Sequence, residues 1–212
     1  QLEALMDHYP NPGQIIPYGT FSYQLKRQAR MAIAAYKAGL CTSANLFLSS
    51  FDTHSDHDDK HPKKMARLLA GVDFLIEEAL AQGVYQEMVV LVSSEFTRTP
   101  YYNATNGKDH WTSNSALLFG AGIVGNRVMG QTNEQLVSCD DSGTPLTYDN
   151  DASNQPITME AVHYALRGQL QVDQSLRTKF PLSAPSITGY GGSDFFPPPP
   201  PPPGPVPVED SE

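Results

Sequence analysis

Three short stretches gather the side chains able to do chemistry. Asp52 and His54 stand in Phe51-Asp52-Thr53-His54-Ser55, Glu95 and Arg98 in Ser94-Glu95-Phe96-Thr97-Arg98-Thr99-Pro100, and Asp109 and His110 in Gly107-Lys108-Asp109-His110-Trp111. Carboxylates mixed with imidazoles are the donor set of a divalent metal site, suited to zinc, manganese or calcium. Asp52, His54, Glu95, Asp109 and His110 are therefore the candidate ligands. Glu95 has two further readings, as a general base or as an ion-pair partner of Arg98 three residues on. Arg98 is the candidate catalytic cation, because its planar fork matches the oxygens of phosphate or sulfate.

Each motif also has a plainer reading. Asp52 suits a loop or helix cap, and Asp109-His110-Trp111 suits a polar turn anchored by the single Trp of the chain. Asp56, His57, Asp58, Asp59 and His61 crowd the stretch after His54 and read as mostly solvated, with His57 the best extra ligand among them. His163 reads as a packing or surface histidine.

The elements that must position these groups follow from apolar spacing. Leu25, Ala29, Ala32, Ile33, Tyr36 and Leu40 predict a helix from Phe21, with Gly39 as its terminator. Ala44 to Leu48 reads as a short buried strand. Met65, Leu68, Leu69, Val72, Leu75, Ile76, Ala79 and Leu80 form one stripe of a second helix, with Pro62 in its first turn and Gly83 at its end. Met88 to Val92 is a continuous apolar run of the kind found in parallel strands covered on both faces. Strand, helix, strand predicts a right-handed βαβ crossover. Ser115 to Phe119 predicts another strand, Arg127 to Gly130 a short edge strand, residues 131–156 a polar loop, and Thr158 to Leu170 a last helix capped by Thr158. The fold class expected is α/β, a doubly wound, mostly parallel sheet sandwiched by helices. In such sheets ligands bind where loops leave the carboxyl ends of the strands. Three or four strands are few for that class, so a partner half is expected elsewhere.

Composition narrows the partners. The 212 residues carry a net charge of -9 with a pI near 5.0 and no basic cluster. Nucleic acid and anionic membrane surfaces are poor partners for such a chain. No apolar run reaches the roughly 18–20 residues of a membrane span. Cys41 and Cys139 are the only cysteines; they fit one disulfide in an oxidising compartment or two free thiols, and their spacing fits no metal motif. Residues 1–180 are read as one α/β domain and 181–212 as a proline-rich tail. Within the tail, the unbroken prolines Pro197 to Pro203 favour polyproline II. Residues 195–208 are expected to lie on Tyr- or Trp-bearing surface of this chain or of a second copy, as an assembly contact.

In order, FDTHS, SEFTRTP, GKDHW and LLFGAGIVGNRVMG resemble the family known as domain of unknown function 1501, related to the sulfatase and alkaline phosphatase superfamily. The likeness runs from about Phe21 to Gly168. It implies an alkaline phosphatase-like α/β sandwich with a two-metal centre, of which this chain would be the C-terminal half. By motif, the implied ligands are Asp52, His54, Glu95, Asp109 and His110. The resemblance also implies export to the periplasm or beyond the cell, and hydrolysis of an anionic phosphate or sulfate ester. Where the superfamily has an Asp-His pair, this sequence has Glu95-Phe96. The superfamily's nucleophile would lie upstream of Gln1. The other reading is a non-catalytic cell-surface or assembly protein that retains the sulfatase-like fold, since fold does not grant activity.

Overall fold

The structure, a computed structural model, describes residues 21–146, 156–172 and 174–179. It divides at Ala121–Gly122 into two compact units. The tail 181–212 and its expected docking lie outside the described residues, as does the boundary expected at 180.

The first unit is built on two helices, α1 (Phe21–Lys37) and α2 (His57–Ala81). Leu25, Ala29 and Ile33 recur every fourth residue on α1, as do Gly71, Leu75 and Ala79 on α2, and all six are buried. Ala29, Ile33, Leu75 and Ala79 form one core with Val84, and Leu46, Phe74, Tyr85, Met88 and Val90 pack against it. Burying a Leu- or Ile-sized side chain contributes about 1.5–3 kcal/mol, so these stripes supply most of what holds the pair. Contacts climb both helices together: Leu25 meets Gly71, Arg30 bonds Glu78, and Lys37 bonds Gln82. The helices therefore run in the same direction, and the chain between them has to return along its length.

Both helices end as expected. Gly39 (φ 70°) and Gly83 (φ 72°) take the left-handed conformation just past the last turn. Leu40 N–H then bonds Ala35 C=O and Val84 N–H bonds Ala79 C=O, the six-residue closure of a glycine-capped helix. The start of α2 differs. It begins at His57, so Pro62 falls in the second turn and costs one ladder bond, and the Asp56–Asp59 cluster is its opening rather than a loop.

The strands differ more. β1 (Val89–Val92) pairs antiparallel with β4 (Leu117–Gly120), Val89 opposite Gly120 and Val92 opposite Leu117. β2 (Thr97–Arg98) pairs antiparallel with β3 (His110–Trp111). No parallel pair occurs among the described residues, in contrast to the expected doubly wound sheet. An apolar run such as Met88 to Val92 encodes burial but not direction, and every position of β1 is only half-buried. The expected strand Ala44 to Leu48 forms no ladder: the side-chain amide of Gln28 occupies Phe47, accepting from its N–H at 2.8 Å and donating to its C=O at 2.9 Å. Arg127 to Met129 is not a strand either, and Val128 is fully exposed.

In the second unit, residues 131–146 form tight turns pinned by Asp140, whose carboxylate accepts from the N–H groups of Ser142 and Thr144. These bonds hold its pKa below the ordinary carboxylate value, the Ser142 side chain first among them. Helix α3 (Met159–Gln169) is capped as predicted: Thr158 Oγ1 accepts from Ala161 N–H at 3.1 Å. Ala161, Val162 and Ala165 are buried, whereas Met159 and His163 are exposed. A short α4 (Gln174–Lys179) follows. Cys41 and Cys139 are free thiols. No described helix is long and apolar enough to cross a membrane.

Candidate metal centre

Two loops of the first unit, 52–57 and 103–109, lie side by side and are joined through the backbone. Asp56 N–H bonds Thr105 C=O, His57 N–H bonds Asn106 C=O, and Lys108 N–H bonds Thr53 C=O. Gly107 makes the approach feasible: a Cβ there would stand 1.9 Å from the carbonyl of His54. The β2–β3 hairpin adds the second motif to the third, setting Arg98 opposite His110, and Thr99 N–H bonds Asp109 C=O. Thr53 and Thr99 are buried beneath this seam. Residues from three distant stretches thus meet at one exposed edge.

Asp52, His54 and His110 form the cluster there. One ligand atom from each lies within 4.8 Å of the others. His54 Nε2 is 3.1 Å from His110 Nε2 and 3.2 Å from Asp52 Oδ1. Donors about 2.0–2.1 Å from a tetrahedral zinc stand about 3.3–3.4 Å from one another, and the two His54 separations lie close to that value. Behind His54, Nδ1 meets Asp109 Oδ1 at 2.7 Å. With the imidazole proton on Nδ1, Nε2 would present a lone pair toward the cluster, the usual carboxylate–histidine arrangement of metal sites. The bonds from His54 and then Asn103 hold the pKa of Asp109 below the ordinary carboxylate value. Phe96 stacks on His110 with ring centroids 4.0 Å apart and fixes its plane.

The other expected site residues fall elsewhere. Asp109 bonds His54 Nδ1 and is not one of the three clustered residues. Glu95 is exposed and outside the cluster. Arg98 is inward, its side chain 11% exposed against 74% for Asp52. Its Nη1 donates to Lys108 C=O at 3.1 Å and approaches His54 Nε2 at 3.4 Å. Its Nη2 donates to Phe51 C=O and to Asp52 Oδ1, each at 3.1 Å. Arg98 therefore staples the two loops and neutralises Asp52 from one side.

His57, the extra ligand candidate, bonds Thr53 Oγ1 at 2.7 Å and stacks on His61 with centroids 4.6 Å apart. Burial, and then neighbouring charge from His61, Lys108 and Arg98, lower its pKa against an opposing pull from Asp58. His61 is lowered by burial first and by Arg98 and Lys108 next. The residues unread in sequence are Asn103, Thr105 and Gly107. Their signal was turn chemistry, an Asn-x-Thr-Asn-Gly stretch between two candidate motifs.

This loop-borne cluster belongs to a chain whose family is shown. Residues 24–169 match the family described as protein of unknown function (DUF1501), and the chain belongs to it. No curated protein and no solved structure matches the chain.

Proposed function

We propose that the chain is part of a metal-dependent hydrolase of phosphate or sulfate esters, on a doubly wound α/β fold of the alkaline phosphatase and sulfatase type. The observation that carries it is the convergence of Asp52, His54 and His110 at ligand spacing, with Asp109 behind His54. The donor set fits a zinc-like ion, two imidazoles and one carboxylate being a common catalytic complement with a position left open. The shared direction of α1 and α2, which the intervening segment must oppose, supports the α/β reading. A divalent ion supplies Lewis-acid stabilisation of charge on the ester oxygens when bound. Asp52, His54 and His110 offer it their lone pairs from the exposed edge, so an anionic ester can approach from solvent. Asp109 keeps the proton on His54 Nδ1. Arg98 holds the 52–57 and 103–109 loops in register and adds positive charge beside the transferring group. Export rests on the family resemblance.

A second reading is metal binding without turnover, in a surface or assembly protein. One observation favours it: both terminal nitrogens of Arg98 already serve protein acceptors.

The test compares the full chain with His110→Ala. Elemental analysis should find divalent metal in the former and little in the variant, with unchanged far-ultraviolet circular dichroism. Turnover of an aryl phosphate or an aryl sulfate should fall with the metal. Metal-loaded protein inert to both esters would move the assignment to the second reading. A wild-type chain that takes up no metal would end both.

A further inference from the structure

Asn103 contacts the cluster through Asp109, and both ends of its side-chain amide are engaged in the loop. Its Nδ2 donates to Asp109 Oδ1 at 2.9 Å and to His54 C=O at 3.0 Å. Its Oδ1 accepts from Gly107 N–H at 2.9 Å and from Thr105 N–H at 3.0 Å. These partners fix which way the amide points. Turned over, its NH2 would face two N–H groups and its oxygen would face a carbonyl and a carboxylate. The orientation is thus built into the loop.

We propose that Asn103 is a positioning residue for the metal site, and the inference rests on the function proposed above. Asp109 Oδ1 takes two donors, Asn103 Nδ2 and His54 Nδ1. Because the first comes from a side chain locked by the loop backbone, the carboxylate cannot rotate away from His54. The proton on His54 stays on Nδ1, and Nε2 stays open toward Asp52 and His110. Thr105 Oγ1 supports the same carbonyl of His54 at 2.7 Å, so the ring is held from its backbone as well as from Nδ1. The loop therefore sets not only where His54 lies but which nitrogen it offers.

Two variants of the full chain separate positioning from mere loop support. Asn103→Ala removes both functions of the amide. Asn103→Asp keeps an acceptor for Thr105 and Gly107 but removes the donor to Asp109. Calorimetric titration with zinc should show affinity lowered about tenfold to a hundredfold in both, the usual effect of losing an outer-sphere partner. Long-range proton–nitrogen spectra of metal-free protein should show His54 as the Nδ1–H form in wild type and a mixture in the variants, with the His57 and His61 signals in place. Wild-type zinc affinity together with a pure Nδ1–H form in Asn103→Asp would overturn the proposal. So would displacement of the His57 and His61 signals alongside His54 in both variants, which would mark plain loop collapse. If wild type itself binds no zinc, the metal reading fails, and the His54 form in Asn103→Asp still decides whether Asn103 controls it.

Discussion

Apolar side chains hold α1 against α2, whereas hydrogen bonds from backbone groups and polar side chains hold the 52–57 loop against the 103–109 loop. In the helix pair, Leu25, Ala29 and Ile33 meet Gly71, Leu75 and Ala79. Apolar contacts are non-directional, so a small shift of one helix loses little. In the loop pair, Lys108, His57 and Asp56 donate N–H bonds across the seam, and Arg98 donates to the carbonyls of Phe51 and Lys108. Hydrogen bonds weaken steeply with angle and distance, so the same shift would break several. The difference teaches where precision resides: the helices supply stability, and the loops supply a geometry that tolerates no displacement.

Two glycines break that comparison most directly. At Gly107 the obstruction is backbone: a Cβ would lie 1.9 Å from both C and O of His54 and 2.4 Å from Ser55 N. Nothing there can rotate aside, so Gly107→Ala must part the loops. We expect a loss of about 3 kcal/mol or more, at the upper end of overpacking costs. Zinc binding should be lost with it. Urea unfolding and zinc calorimetry on the same sample check both, and a Gly107→Ala protein with wild-type affinity would refute the backbone-held seam.

At Gly71 the obstruction is the flexible end of Leu25, 2.3 Å from an added Cβ at Cδ2. Overpacking costs about 1–3 kcal/mol, but Ala in a helix interior recovers about 1 kcal/mol over Gly. The net expected from urea midpoints is a loss of about 0–2 kcal/mol. Zinc affinity should not change. Shortening Leu25 to Val in the same protein should return part of the loss. A Gly71→Ala variant that lost zinc binding as fully as Gly107→Ala would show that the two regions are not mechanically separate.

The helices and the three side chains of the cluster were legible because their signals are local. Period-four apolar spacing marks Leu25 to Ile33 and Leu75 to Ala79 without reference to the rest of the fold. Asp52, His54 and His110 are marked by residue type in short motifs. What stayed illegible depends on partners distant in sequence. Met88 to Val92 reads equally well beside a parallel or an antiparallel neighbour, and only the pairing with Leu117–Gly120 gives its direction. Ala44 to Leu48 has strand composition, yet Gln28 takes the polar groups of Phe47. Arg98 reads as an anion-binding cation, and its bonds to the carbonyls of Phe51 and Lys108 depend on residues 47 and 10 positions away. Asp109 beside His110 reads as a ligand, and its bond to His54 is made with a residue 55 positions away.

The smallest effect expected lies where the two regions join, at the first turns of α2. His57 and His61 stack there, with His61 edge-on to Phe51 and its Nδ1 enclosed without a hydrogen-bond partner. Arg98, Lys108, Asp58 and Tyr102 are the charged or titratable groups facing the pair. Burial first, and then the cations, lower both pKa values from the ordinary 6.5. Both histidines are thus favoured in the neutral form by folding, and below pH 6.5 the unfolded chain binds more protons than the folded one. Stability is therefore complete above 6.5 and falls as pH drops from 6.5 toward the folded values. The lowered carboxylates Asp59, Asp109 and Asp140 start from 3.8 and lose their contribution at lower pH, leaving the window from about 5 to 6.5 to the histidines. His61→Phe keeps a ring against His57 and Phe51 and removes the enclosed nitrogen. Its urea midpoint should match or exceed wild type at pH 7 and should decline less between pH 6.5 and 5. Equal declines in the two proteins would show that the stacked pair is solvated like the rest of the edge, and that the junction belongs with the exposed loops rather than with the helical core.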